Sequence, residues 1–333
     1  MYTPFSFVMK MSKPYKKWYI CLCLAPLFSG IYFAANNYIV KILIDTISSE
    51  NLNYQAFLHP LAIFLAMELG LRFFWSLHDF SEYKFYGNVF RDLVVFPYEY
   101  VQNHSYSYFQ NNFAGSIVSK LKGLTDGFCG FWDKISHSIL ENVSSIVINL
   151  MLVAFVAPKM LLPIFLYVAI MGVIAYFQQK KYKKIAFENK QNWHVMLGMV
   201  SDRITNMFTI FQFATKNREI NAIKKRYDDV SIPAINELHY YNYKAWLATG
   251  LVNTLILLGV FWYAASLRIA NEIETGALVV GILATTRCGG EIFSLVQNWM
   301  SFVQNLAELR ASLDGIFSKQ EILDKKDAKV LVI

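Results

Sequence analysis

Six strongly apolar stretches constrain this chain more than any other feature of its sequence. Each supplies about the 20 consecutive residues that an α-helix needs to cross a hydrocarbon layer about 30 Å thick. Charged residues make up only 17% of the chain, against roughly 25% in ordinary soluble domains. We therefore predict an all-α membrane protein with six transmembrane helices. The stretches are Trp18–Ile44, Ala56–Leu77, Ile135–Ala157, Met160–Phe177, Trp246–Leu267 and Ala277–Val303.

The connections between these stretches alternate between short and long. Those after the second and fourth stretches, Phe80–Lys134 and Gln178–Lys244, each exceed fifty residues and contain charged, amphipathic sequence. Apolar residues recur through both, so we expect long helical extensions that pack on one another outside the bilayer.

The Lys and Arg residues predict the orientation. The N-terminus, the two long connections and the C-terminal tail hold 26 of the 31 basic residues. Because basic residues concentrate in cytoplasmic loops, we place both termini and both long connections in the cytoplasm. We expect the protein to lie in the plasma (inner) membrane. The same rule explains the net charge of +7 without nucleic acid as a partner. Lys13–Lys17 before an apolar run also fits a signal peptide, but its removal would leave an odd number of spans.

The sequence contains no recognisable catalytic, nucleotide-binding or metal-binding motif. It has no glycine-rich phosphate loop ending in Lys-Ser or Lys-Thr, and its six histidines are scattered without metal-ligand spacing. Cys21, Cys23, Cys129 and Cys288 lie in or beside apolar runs and are expected to be free thiols. We therefore predict no enzyme activity, no metal and no cofactor for this chain alone.

Three segments carry a recognisable pattern. Residues 108–120 read YFQNNFAGSIVSK, residues 202–213 read DRITNMFTIFQF, and Leu306–Phe317 follows the sixth stretch. In this order they resemble the first intracellular loop, the second intracellular loop and the exit helix of ABC exporter transmembrane domains (type I exporter, type IV fold). With the number of spans and the loop lengths, the resemblance covers nearly the whole chain. The resemblance implies that fold, without its nucleotide-binding domain.

The resemblance also implies two short coupling helices that fit grooves on ATP-binding domains, near Phe109–Ser116 and Asn206–Phe213. In the first coupling segment, the resemblance assigns a coupling role to Phe109, Phe113, Gly115, Ser119 and Lys120. In the second coupling segment, it assigns the same role to Asp202, Asn206, Phe208, Thr209, Ile210 and Phe213. An alternative for the phenylalanines is ordinary packing in the helical extensions.

The partners implied by the family are the lipid bilayer, a second copy or a homologous half-transporter, and ATP-binding domains that use ATP and Mg²⁺. Single-chain members carry such a domain directly after the sixth span, where this sequence ends. We therefore expect residues 1–17 to be a cytoplasmic or interfacial segment, 18–317 the six-helix domain, and 318–333 a linker toward a removed or separate ATP-binding domain. Loss of ATP coupling is a third possibility.

Charged residues inside the spans are the candidates for a translocation cavity. Glu68 and Arg72, and likewise Arg287 and Glu291, stand four residues apart and are expected to neutralise each other. An unpaired charge at mid-bilayer costs at least about 2.5–3.5 kcal/mol, so such residues face an interior or a wet cavity. The alternative is a bridge between packed helices. Asn298 and Trp299 are candidates for the same path.

Two other function classes remain open at this point. An ion- or proton-driven permease of the same fold would use Glu68 and Glu291 as proton carriers. A membrane scaffold would bind a partner and transport nothing. The sequence does not predict the substrate.

Overall fold

A computed structural model describes residues 2–48, 54–111 and 114–317, apart from the side chains of 107, 110–111, 114–116, 119, 190–191, 193–195 and 197–198. The described residues form helices and no strand. The α-helices are α1 Pro4–Ser12, α2 Lys16–Ile47, α3 Tyr54–Gln102, α4 Tyr106–Asn111, α5 Ala114–Lys134, α6 Leu140–Val156, α7 Leu161–Thr205, α8 Met207–Gln212, α9 Lys216–Arg226, α10 Ile232–Ile269 and α11 Thr275–Ile316. Lys13–Tyr15 and Pro158–Met160 are 3₁₀ turns, and Ile135–Ile139 and Tyr227–Ser231 are π-helical turns.

Six helical segments of the described part are long and apolar enough to cross a membrane, which confirms the predicted number. The helices continue beyond the apolar stretches: α3 has 49 residues and α7 has 45. At about 1.5 Å per residue, α3 is roughly 70 Å long, more than twice the thickness of the hydrocarbon layer. The long connections therefore begin as direct continuations of the spanning helices.

The chain divides into two compact units, Met1–Phe165 with Ala264–Ile333, and Leu166–Tyr263. The first unit contains α1 to α6, α11, the start of α7 and the end of α10. The second contains the rest of α7, α8, α9 and most of α10.

Close packing of α5 on α11 organises the first unit. Gly123, Gly127 and Gly130 share one face of α5, because residues three and four apart align along a helix. A Cβ added at Gly127 would lie 2.9 Å from the Leu309 Cβ, and one added at Gly123 would overlap the Ser312 hydroxyl oxygen. Small residues thus let the two backbones approach closely.

The N-terminal segment packs into the same unit. Thr3 caps α1 through a reciprocal pair of hydrogen bonds with Ser6. Phe7 and Val8 are fully buried in a core that also contains Phe128, among other apolar residues. Three residues of the segment 1–17, Phe7, Val8 and Met11, thus contribute to the core of the first unit.

Side-chain hydrogen bonds join α7 and α10 in the second unit. The Tyr167 hydroxyl donates to Asn253 Oδ1 at 2.6 Å, and the Tyr241 hydroxyl donates to the Gln178 carbonyl at 3.0 Å. Large apolar side chains along α10 remain exposed, among them Trp246, Leu251, Leu255 and Trp262. This exposure is what a lipid-facing helix requires.

Candidate functional site

The charged pair predicted on the sixth span lies within a polar network between α6 and α11. Arg287 forms an ion pair with Glu291, one turn further along α11. Its guanidinium also lies 3.8 Å from a carboxylate oxygen of Glu141 on α6. Glu291 is only 6% exposed, so these partners replace the water that an exposed carboxylate would contact.

The network continues from Glu291 toward α5. Asn142 donates its side-chain amide to Glu291 Oε2 at 2.5 Å. Asn298 donates to Asn142 Oδ1 at 3.4 Å, and Lys134 Nζ donates to Asn298 Oδ1 at 3.3 Å. Asn298, predicted to be near this pair, is therefore joined to it through Asn142.

In the other direction the network reaches α2. Arg287 Nε donates to Ser145 Oγ at 3.4 Å. Asn149, which is fully buried, donates to the Ser145 carbonyl at 2.8 Å and accepts from Asn37 Nδ2 at 2.8 Å. Polar side chains thus connect four helices through apolar sequence.

The network contains two basic residues, Lys134 and Arg287, and two acidic residues, Glu141 and Glu291. About a third of the Arg287 side chain and a quarter of the Glu141 side chain remain exposed, whereas Glu291 is enclosed. Glu291 is thus enclosed between packed helices, whereas Arg287 and Glu141 are partly exposed; a translocation cavity at this place stays a prediction.

On the second span, Glu68 has a hydrogen-bond partner on α2. Glu68 accepts a 2.5 Å hydrogen bond from the Tyr32 hydroxyl of α2, and among the described ion pairs none joins it to Arg72, which is exposed. Trp299 is 54% exposed and its ring lies 5.6 Å from that of Phe302.

The region of the first coupling segment is attached to the end of α11. The Tyr108 hydroxyl donates to the Gly315 carbonyl at 3.2 Å, and His104 Nε2 lies 3.2 Å from the Ile316 carbonyl oxygen. The His104 and Tyr108 rings stack with centroids 4.0 Å apart. Burial raises the pKa of Tyr108 above its usual value. This segment is thus bonded to the helix that the resemblance identifies as the exit helix.

The structure places the residues assigned to this segment as follows. Phe109 lies in α4 and is 43% exposed. Lys120 is half-buried on α5, beside Gly315. Gly115 and Ser119 belong to α5, but their surroundings are not described, and Phe113 lies outside the described residues.

The second coupling segment contains a separate short helix, α8. Asn206 precedes it and donates its side-chain amide to the Asp202 carbonyl at 2.8 Å. At the other end Ala214 has a φ of 52°, in the left-handed region. The amide of Thr215 donates to the Ile210 carbonyl at 3.1 Å, a bond that closes the helix end. Two turns therefore isolate α8 from α7 and α9.

The side chains of α8 divide into one buried and several exposed apolar residues. Ile210 is 9% exposed, whereas Phe208 is 73%, Phe211 is 56% and Phe213 is 72% exposed. Asp202, Asn206 and Thr209 are also exposed. The segment 206–213 therefore presents three exposed phenylalanines and buries Ile210.

One cluster has no counterpart in the sequence analysis. His78 and Glu82 of α3 lie beside His137 of the first π-helical turn, with one potential ligand atom from each within 4.8 Å of the others. The expectation that the histidines are scattered does not describe their placement in space. Only the i, i+4 spacing of His78 and Glu82 was visible in the sequence, and that spacing is common.

Comparison with known families gives a match over most of the chain. The family model described as ABC transporter transmembrane region matches residues 19–286. No curated protein matches the chain at a significant level.

Proposed function

Since the chain belongs to the family of ABC transporter transmembrane regions, we propose that it is one membrane half of an exporter-type transporter driven by ATP-binding domains on a separate or removed segment. The chain is an integral, multi-pass membrane protein, and its family functions in membrane transport. We place its termini in the cytoplasm on the basis of its basic residues. A second copy or a homologous half completes the pathway.

The observation that carries this proposal is α8. Its exposed phenylalanines need a covering surface, and short helices with such residues bind apolar grooves of partner proteins. We assign that groove to an ATP-binding domain. Ile210 of α8 is only 9% exposed. In this proposal it anchors α8 in the second unit, so that a force on Phe208 is passed to that unit.

Force from the first coupling segment would follow another route. Tyr108 and His104 contact the last turn of α11, which is one continuous helix from Thr275 to Ile316. The same helix carries Arg287. A displacement at Gly315 would therefore reach the polar network through a rigid element, as alternating access requires.

The proton-driven alternative receives less support. It requires Glu291 to exchange protons with a water-filled path, but Glu291 is enclosed and paired with both Arg287 and Asn142.

The test uses the full chain co-expressed with an ATP-binding protein encoded beside it or continuous with it. We expect Phe208→Ala to reduce both copurification of that protein and the ATPase activity of the assembly in nanodiscs. Phe187→Ala is the matched control, because Phe187 is 60% exposed on α7 and lies away from α8. Replacing Gly115 is expected to act like Phe208→Ala. Equal copurification and activity in the Phe208 and Phe187 variants would contradict the proposal.

A further inference from the structure

We propose that His78, Glu82 and His137 bind a divalent transition-metal cation, for which Zn²⁺ is the best-suited probe. One nitrogen of each histidine and one carboxylate oxygen of Glu82 lie within 4.8 Å of one another. His78 and Glu82 are four residues apart, so they stand on the same face of α3. His137 comes from the π-helical turn Ile135–Ile139, which leads into α6.

His78 supplies an independent sign of a missing ligand. Its side chain is fully buried, and its Nε2 atom has no hydrogen-bond partner. Buried polar atoms are nearly always paired, because leaving one unpaired forfeits its hydration without replacement. A cation that accepts the Nε2 lone pair would satisfy this atom.

The opposite sides of both rings face carboxylates. His78 Nδ1 lies 3.4 Å from Asp79 Oδ1. His137 Nδ1 lies 3.1 Å from Ser136 Oγ, its hydrogen-bond partner, and 3.7 Å from Asp133 Oδ1. Metal-binding histidines usually donate their other N–H to a carboxylate or carbonyl oxygen. A proton held on Nδ1 leaves the Nε2 lone pair free for a metal.

The donor set selects the class of cation. Two imidazole nitrogens with one carboxylate oxygen suit Zn²⁺ or Co²⁺, whereas Mg²⁺ and Ca²⁺ prefer oxygen ligands only. Zn–N distances of about 2.0–2.1 Å place tetrahedral ligands about 3.4 Å apart, so the three groups must approach by roughly 1 Å. His137 is exposed and Glu82 is half-buried, so both can move toward the fixed His78. A water molecule would complete the tetrahedron.

The walls of the cluster favour tight binding. The Trp75 ring lies 5.2 Å from that of His78 and 5.9 Å from that of His137, and it shields one side. Trp75 is itself fixed by donation to Ser29 Oγ at 3.1 Å. A bound cation would join α3 to the π-helical turn, so it would stabilise the folded chain.

Titration of the untagged full chain in nanodiscs with Zn²⁺ alone tests the proposal. We expect one Zn²⁺ per chain and a rise in the thermal midpoint on binding. His137→Gln and Glu82→Gln should each weaken binding at least about tenfold, and Asp133→Asn about 10–100-fold through the orientation of His137. With Co²⁺ in place of Zn²⁺, the visible absorption of a four-coordinate ion should appear in the wild type and be lost in His137→Gln.

The matched control is His59→Gln. His59 is exposed on the same helix, and its 19-residue separation from His78 corresponds to roughly 28 Å. The His59→Gln variant should bind Zn²⁺ with the same affinity and stoichiometry as the wild type. A thermal midpoint of each metal-free variant equal to that of the metal-free wild type would show that the substitution leaves the fold intact. Absence of stoichiometric binding by the wild type, or binding unchanged in His137→Gln, would overturn the proposal.

Discussion

The guanidinium carbon of Arg287 lies 3.5 Å from the centroid of the Phe33 ring of α2. The same group pairs with Glu291 on its own helix and approaches Glu141 on α6. A cation over an aromatic face is favourable, and more so when water is excluded. Arg287 therefore contacts side chains of α2 and α6 as well as of its own helix α11.

Replacing Arg287 should destabilise the fold. Arg287→Ala leaves Glu291 enclosed without its counter-ion, and breaking a buried pair in this way costs about 3 kcal/mol of the free energy of unfolding. Arg310→Ala is the control, because its pairing with Asp314 at 4.0 Å is exposed and contributes little. Chemical unfolding in detergent measures both. Equal stability of the two variants would contradict the importance assigned to the network.

Removing one hydroxyl should weaken the attachment of the first coupling segment to α11. Tyr108→Phe loses the hydrogen bond to the Gly315 carbonyl and should lower the free energy of unfolding by about 1 kcal/mol. Tyr106→Phe, at a position that is 76% exposed, should change it little. Hydrogen exchange at the end of α11 would show whether the loss is local.

The Tyr108 contribution should depend on pH. Burial raises the pKa of this phenol, so the neutral form is favoured in the folded state. Its stabilising effect is then fully present below the unfolded pKa of about 10, and it is lost as pH rises through the higher folded pKa. The difference in stability between the wild type and Tyr108→Phe should therefore shrink under strongly alkaline conditions. A difference that grows with pH would contradict this assignment.

Two glycines should respond in opposite ways to alanine. Gly127→Ala places a Cβ 2.9 Å from the Leu309 Cβ and should cost about 1–3 kcal/mol, because α5 and α11 must separate. At Gly290 nothing lies within 4 Å, so Gly290→Ala should stabilise α11 by up to about 1 kcal/mol through helix propensity. Thermal unfolding of both variants in the same detergent distinguishes them; the same sign in both would refute the packing described for α5.

The turn after α8 should be stabilised by glycine. Ala214 adopts a φ of 52°, which costs a residue with a Cβ about 1–2 kcal/mol. Ala214→Gly should therefore slow hydrogen exchange of the amides in α8. Ala222→Gly, in the interior of α9, should instead speed local exchange, since glycine disfavours a helix interior by about 1 kcal/mol. Faster exchange of α8 in Ala214→Gly would be the opposite of the expected result.

The sequence predicted the elements of this fold better than their contacts. Apolar stretches long enough to span a bilayer predicted the six spans, since length and hydrophobicity are local properties. The segment around Asn206–Phe213 was predicted as a short helix from the family resemblance, and the structure has one at Met207–Gln212. Its coupling role stays a prediction.

Contacts between distant helices were less accessible. Helical spacing predicts that Glu68 and Arg72 can meet, but it does not reveal that Tyr32 stands beside Glu68. His137 is separated from Glu82 by more than fifty residues, and no pattern in either segment predicts that the two are close in the fold. A periodic pattern specifies which face of a helix is shared, whereas the identity of the neighbouring helix depends on the whole packing arrangement.

The π-helical turn Ile135–Ile139 sets the angular phase between two functional faces. The glycine face of α5 precedes it, and Glu141, Asn142, Ser145 and Asn149 follow on α6. Because each helical residue turns the chain by about 100°, deleting one residue here would turn Glu141, Asn142 and Ser145 away from α11, and Asn149 away from Asn37 of α2. The chain length of this turn, more than the identity of its residues, thus keeps Arg287 opposite its acceptors.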